Sequence, residues 1–248
     1  MVEFADYLLR IVPGLLIFGV VYALLADKKT IAIKILLLIF GFILLRDAMT
    51  PLGFWEFGLA NGLIPWIRFT DDMAILSLMG ALLLGIVLGL VCMNRSMKQY
   101  LCWGPLNGRT ILWGVVGAAA ITFPYIAVVS LLSIPLSERG GEVAYAVLPV
   151  LFVMIVVGNL LEEILFRGYL QGYFEQIYTP VRAAVLSAFI FALGHTFLAT
   201  TVTDIGPVVL LFTLYEGAVC AFLRLKHGIW PAAIAHGVAI FVLTCGLV

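Results

Sequence analysis

Eight stretches of this chain are apolar over membrane length or close to it, and nothing else in the sequence narrows the available folds as far. A bilayer core takes about 20 apolar residues as a helix. Lipid offers no partner to an exposed backbone, so such segments must be helical or close into a barrel. The runs are Leu8–Ala26, Ile31–Leu45, Met73–Met93, Thr110–Ile134, Val143–Phe166, Val181–Thr200, Gly206–Leu223 and Ile229–Val248. The second is short and reaches full length only by continuing past Arg46. Hydrophobic residues make up 64% of the chain and charged ones 11%, against roughly 45–50% and 25% in soluble domains. The expected fold is all-α: a polytopic membrane helical bundle of about eight transmembrane helices. No internal repeat, linker or low-complexity tail divides it. The expectation is one integral-membrane domain over 1–248, with a chemistry-bearing core at 143–248.

Between the second and third runs lies Pro51–Asp72, rich in Phe, Trp, Gly and Pro. Trp55 and Trp66 suit the headgroup level, so this segment reads as an interfacial or re-entrant loop, either an anchor or a gate where substrate rests. Pro124 invites a kink in the fourth run. With eight spans, the odd loops hold Lys28, Lys29, Lys34, Arg95, Lys98, Arg109, Arg167, Arg182, Arg224 and Lys226, and the other side holds Arg10, Arg46, Arg68 and Arg139. That imbalance puts the odd loops in the cytoplasm and the charged end of the fifth run near the cytoplasmic face. Glu3 and Asp6 stand where a signal peptide carries positive charge, so no cleaved leader is expected. The net charge of zero argues against a nucleic-acid partner. Cys92, Cys102, Cys220 and Cys245 lack metal-knot spacing, and three lie in or beside apolar runs, which favours buried thiols.

The fifth run ends in Glu162 and Glu163, followed by Arg167. A charge inside the bilayer costs about 2.5–3.5 kcal/mol even on lenient scales, which makes intramembrane carboxylates functional candidates. Glu163 and Arg167 stand at i and i+4, glutamate first, the favourable order for an ion pair on one helix face. Glu162 points about 100° away and is the free group. Two of the three histidines, His195 and His236, also fall inside apolar runs, whereas His227 sits at a span boundary beside Lys226. An imidazole among lipid tails needs a polar partner and should face the interior. Spans five, six and eight thus each bring one ionisable group to membrane depth. A carboxylate and an imidazole there can take a proton from water, while a second imidazole donates to a developing oxyanion. The same three groups, Glu162, His195 and His236, can instead ligate zinc with a position left open for water. The sequence leaves both open.

These residues resemble the CPBP family of intramembrane proteases (Abi-like), which includes CAAX prenyl-protein endopeptidases and bacteriocin-processing or immunity proteins. The EExxxR motif appears as Glu162, Glu163 and Arg167, and FxxxH as Phe191 and His195. The third motif begins at His236, after the approach Leu225–Pro231. The resemblance covers roughly Val143 to the C-terminus and implies an intramembrane endopeptidase with no required cofactor. It gives Glu162 and His195 the activation of water, His236 the oxyanion, and Glu163 with Arg167 the bracing of the site. The family often carries a polar residue four after the third-motif histidine, where this chain has Ile240. Asn159 and Tyr215 are the candidate replacements. Glu216, another intramembrane carboxylate, is a possible accessory that lines a water path or binds a polar substrate group.

The implied partners are the lipid bilayer and a membrane-associated protein or peptide substrate. Localisation follows as multi-pass integral membrane: the cell membrane in a prokaryote, the endoplasmic reticulum in a eukaryote. Two other classes fit buried Glu and His residues: a proton-coupled membrane transporter, and a non-catalytic immunity or scaffold protein. No inverted repeat or paired broken helices favour the transporter.

Overall fold

The computed structural model describes residues 4–25 and 30–247. Glu3, Lys28, Lys29 and the expected run ends at Ala26 and Val248 lie outside the described residues. The chain forms helices α1 (Phe4–Leu25) and α2 (Ile31–Met49), then strands β1 (Trp55–Ala60) and β2 (Ile64–Phe69). Helices α3 (Met73–Met93), α4 (Gly108–Leu131) and α5 (Leu148–Glu163) follow. A π-helical segment, Ile164–Leu170, joins α5 to the short α6 (Gln171–Phe174), and α7 (Pro180–Leu193), α8 (Val208–His227) and α9 (Ile229–Thr244) complete the chain.

Six helical segments among the described residues are long and apolar enough to cross a membrane. Two of the eight expected spans fall short of that measure. Helix α2 continues past Leu45 to Met49 but carries Lys34, Arg46 and Asp47, and α9 has only 16 residues. Outward-facing side chains such as Leu9, Leu16, Leu82, Phe123 and Leu211 are exposed, as a lipid-facing surface requires. The molecule is a polytopic helical membrane bundle.

Local chemistry sets the helix ends. Asp72 caps α3 by accepting from the amides of Ala74 and Ile75 at 2.8 and 3.1 Å. Asn107 and Thr110 form a reciprocal capping box at the start of α4. Pro180 opens α7, where its missing N–H costs nothing. In the packing, α4 lies along α9, α7 along α8, and α5 against both α3 and α9. The C-terminal half of α5 and the π-helical segment form the centre. Leu161, Ile164, Leu165, Phe166 and Tyr169 pack there with Ile35 and Ile39 of α2, Val87 of α3 and Phe191 of α7.

The segment Pro51–Asp72, expected as an interfacial or re-entrant loop, contains a regular hairpin. Its residues pair as an antiparallel hairpin running from Trp55↔Phe69 to Ala60↔Ile64. The turn is made by Asn61 and Gly62, both at positive φ (50° and 67°), with the Leu63 amide donating to Ala60 O at 3.1 Å. Asn-Gly is the preferred pair for such a turn. Gly58 faces Trp66, whose indole would stand 2.2 Å from any Cβ at position 58. Trp55 is buried and donates Nε1–H to Thr50 Oγ1 at 3.2 Å. The hairpin folds inward because its ring faces have the bundle to pack on.

The thiols divide evenly: Cys220 and Cys245 are buried, Cys92 and Cys102 exposed, and all four are unpaired.

Candidate active site

Arg167 sits in the π-helical segment and is completely buried, as is Glu163 at the end of α5. Their Nη1 and Oε1 atoms are 3.2 Å apart. Arg167 Nη2 donates to Gly217 O on α8 at 3.0 Å, and the guanidinium lies over the Phe191 ring at 4.1 Å. Gly217 permits that approach, since a Cβ there would come within 3.1 Å of Phe191 and 3.3 Å of Arg167. A π-helical turn displaces backbone carbonyls from their usual partners, and Ser187 of α7 donates to one of them, Phe166 O, at 2.9 Å.

The ion pair expected from the i, i+4 spacing is therefore formed, and it serves more than one helix. Glu163 Oε1 also accepts from Nδ1 of His236 on α9 at 2.8 Å. His236 Nε2 stands 3.7 Å from Oε2 of Glu216 on α8. Both residues are about 2% exposed, and Glu216 Oε1 makes no hydrogen bond. A buried chain of charged and polar groups thus runs Arg167–Glu163–His236–Glu216 across three helices. Such a chain is worth retaining only when its members satisfy one another.

His195 does not lie within a regular helix. Helix α7 ends at Leu193 and the chain turns at Gly194 and His195 before the π-helical Leu198–Val202. The His195 ring closes the broken end: its Nδ1 contacts Phe191 O at 2.9 Å, and its backbone N–H donates to Ala192 O at 3.0 Å. A carbonyl can only accept, so Nδ1 carries the hydrogen and Nε2 of the neutral ring is left as an acceptor. The two histidines are posed differently: Nδ1–H of His236 is spent on a carboxylate, and that of His195 on its own helix. Phe191 packs against both, with ring centroids 4.8 Å from His195 and 5.7 Å from His236.

Glu162 makes no hydrogen bond or ion pair among the described residues. It lines one cavity of about 410 Å³ together with Arg46, Asn159, His195, Glu216 and His236. The rest of the lining is apolar apart from Thr213 and Tyr125, and comes from α2, α3, α4, α5, α8, α9, the π-helical Leu198–Val202 and the hairpin, including Trp55, Phe57 and Trp66. Ile240, where a polar residue was looked for, is also in that wall.

Two site expectations, Tyr215 and the metal set, differ from the geometry. Tyr215 does not face the cavity: it is exposed, and its hydroxyl donates to Ala120 O on α4 at 2.8 Å. The neighbouring Glu216 points inward instead, because adjacent helical residues diverge by about 100°. Asn159 lines the cavity as expected, with one of its two Nδ2 hydrogens donated to Ile155 O one turn back at 2.8 Å. As for metal, Glu162, His195 and His236 are not brought within common ligand distance. The described trio whose donor atoms lie within 4.8 Å of one another is Glu163, Cys220 and His236. That set fits a dication poorly, since the Arg167 cation already pairs with Glu163, His236 Nδ1 is committed to the same carboxylate and Cys220 Sγ points at Ala232 O.

The sequence reading missed Arg46. It lies on α2, beyond the end assigned to the second run, and donates to Gly194 O at 2.8 Å while its Nε donates to Asp47. A charged pair at the end of a hydrophobic run was the available signal.

Residues 144–242 match the model of a family described as type II CAAX prenyl endopeptidase Rce1-like. No curated protein and no solved structure matches the chain. The matched stretch contains Asn159, Glu162, Glu163, Arg167, Phe191, His195, Glu216 and His236, and excludes Arg46 and the hairpin. The membrane-length helices make the chain an integral, multi-pass membrane protein, and its residues 144–242 are similar to the type II CAAX prenyl endopeptidase Rce1-like family.

Proposed function

We propose that this chain is an intramembrane endopeptidase that cleaves a peptide bond of a membrane-associated protein or peptide with water activated by Glu162 and His195. The observation that carries the reading is the shared cavity. An unpaired carboxylate, an imidazole with Nε2 free to accept and an imidazole held by Glu163 line it together, within apolar walls. Water between Glu162 and His195 gives up a proton as its oxygen bonds to the carbonyl carbon. The carbonyl oxygen becomes an oxyanion, and protonated His236, steadied by Glu163 through Nδ1, donates to it through Nε2–H. Collapse of the tetrahedral intermediate breaks the C–N bond, and the proton taken from water passes to the leaving amine. Glu163 and Arg167 hold the helices that carry these groups, and no bound metal or cofactor is needed for these steps.

Apolar walls beside the reacting groups suit a substrate carrying a lipid chain, which agrees with the prenylated substrates named in the matched family's description. A reconstituted cleavage assay on a panel of peptides, with and without an isoprenyl chain, tests the reading. Wild type cleaves at least one. Glu162→Gln, His195→Ala and His236→Ala each abolish cleavage while still accumulating in the membrane, and a chelator leaves the rate unchanged. Full cleavage by Glu162→Gln rejects this chemistry, and loss of activity on chelation, restored by added zinc, replaces it with a metal-assisted one.

A further inference from the structure

A helix that ends inside a bundle leaves carbonyl groups without intrahelical partners, and α7 ends where the chain delivers His195. Two of its terminal carbonyls are taken by His195 itself, Phe191 O by Nδ1 and Ala192 O by the backbone amide. The last, Gly194 O, accepts from Arg46 Nη2 at 2.8 Å across 148 residues of sequence. A cation at a helix C-terminus is favoured by the partial negative charge there. Arg46 is itself held: its Nε and Nη2 both lie 2.8 Å from Asp47 Oδ1, and Asp47 is completely buried. Arg46 lines the same cavity as Glu162 and His195, so its positive charge borders the space between them. Its Nη1 makes no hydrogen bond among the described residues. Helix α2 comes this close because Gly194 has no side chain: a Cβ there would stand 3.1 Å from Ile43 Cδ1.

We infer that Arg46, clamped by Asp47, is a positioning residue for the reaction: it fixes the His195 turn from a helix outside the family-matched segment and sets the charge around the water-activating pair. This rests on the hydrolytic reading above. The full chain carries out the test, in the reconstituted cleavage assay with kcat and KM determined separately and thermal unfolding recorded for each variant. A positional error of about 1 Å costs on the order of 10² in rate. Arg46→Gln is therefore expected to lower kcat by about that factor, leave KM largely unchanged, and remain folded at the assay temperature. Arg46→Lys, whose ammonium can still donate to Gly194 O, recovers part of the loss, and Asp47→Asn shows a smaller drop in kcat than Arg46→Gln. The inference is overturned by Arg46→Gln with kcat equal to wild type, by a change confined to KM, or by Lys and Gln variants that lose activity only in step with folded protein. A wild type that cleaves nothing in the panel would instead reject the hydrolytic reading itself.

Discussion

Replacing Arg167 with Met tests whether the buried chain holds the bundle together. The substitution keeps an unbranched side chain of similar reach, so the main loss is charge and hydrogen bonding. Three contacts disappear: Nη1 to Glu163 Oε1 at 3.2 Å, Nη2 to Gly217 O at 3.0 Å, and the cation over Phe191 at 4.1 Å. A hydrogen bond to a charged group contributes about 1.5–3 kcal/mol, and a desolvated cation–π contact about 2 kcal/mol. Removing one member of a buried ion pair costs about 3–5 kcal/mol, because the other is left uncompensated. The uncompensated-charge figure of about 3–5 kcal/mol sets the expected loss, because the three contacts share one side chain and do not add. For a chain of this size each kcal/mol lowers Tm by about 2–4 °C, so Arg167→Met should unfold roughly 6–20 °C earlier in detergent. Glu163→Gln/Arg167→Met removes both charges and should lose less than the sum of the two single variants, by about 0.5–3 kcal/mol. Thermal unfolding of wild type, both single variants and the double variant completes the cycle. Additive losses, or an Arg167→Met Tm within about 2 °C of wild type, would refute the argument that these charges are stabilised by one another.

Tyr215→Phe should cleave at the wild-type rate and lose about 1 kcal/mol of stability, because its hydroxyl bonds to α4 and not to anything in the cavity; a large fall in kcat would return Tyr215 to the site. Gly58→Ala should destabilise the protein by about 1–3 kcal/mol through overpacking, since the new methyl meets the Trp66 indole. Because Trp66 lines the cavity, its KM should rise as well, and an unchanged Tm and KM would show that the hairpin yields freely.

Some features could be read directly because they are local. The i, i+4 order of Glu163 and Arg167 led to their ion pair, and the offset of Glu162 led to a carboxylate without a partner. The Asn61-Gly62 turn was just as local and was overlooked, since the aromatic content of its flanks suggested an interface instead of paired strands. The break at Gly194–His195 was concealed by continuous apolarity: hydropathy records what lipid tolerates and is blind to where a helix stops. Adjacent positions diverge by about 100° on a helix, yet nothing in sequence says which one faces inward, so Tyr215 and Glu216 were both candidates where the structure turns only Glu216 into the cavity.

The sequence by itself determined a membrane-spanning helical chain, its ionisable residues at membrane depth, and the motif order that links it to a protease family, because hydropathy and short-range spacing are properties of the chain alone. Only the tertiary structure decided that Glu163 serves both Arg167 and His236, that Glu216 joins them, and that Arg46 caps the end of α7. The physical reason is that in an apolar interior each buried polar group must find its partner wherever packing places one, and packing sets such meetings without regard to distance along the chain.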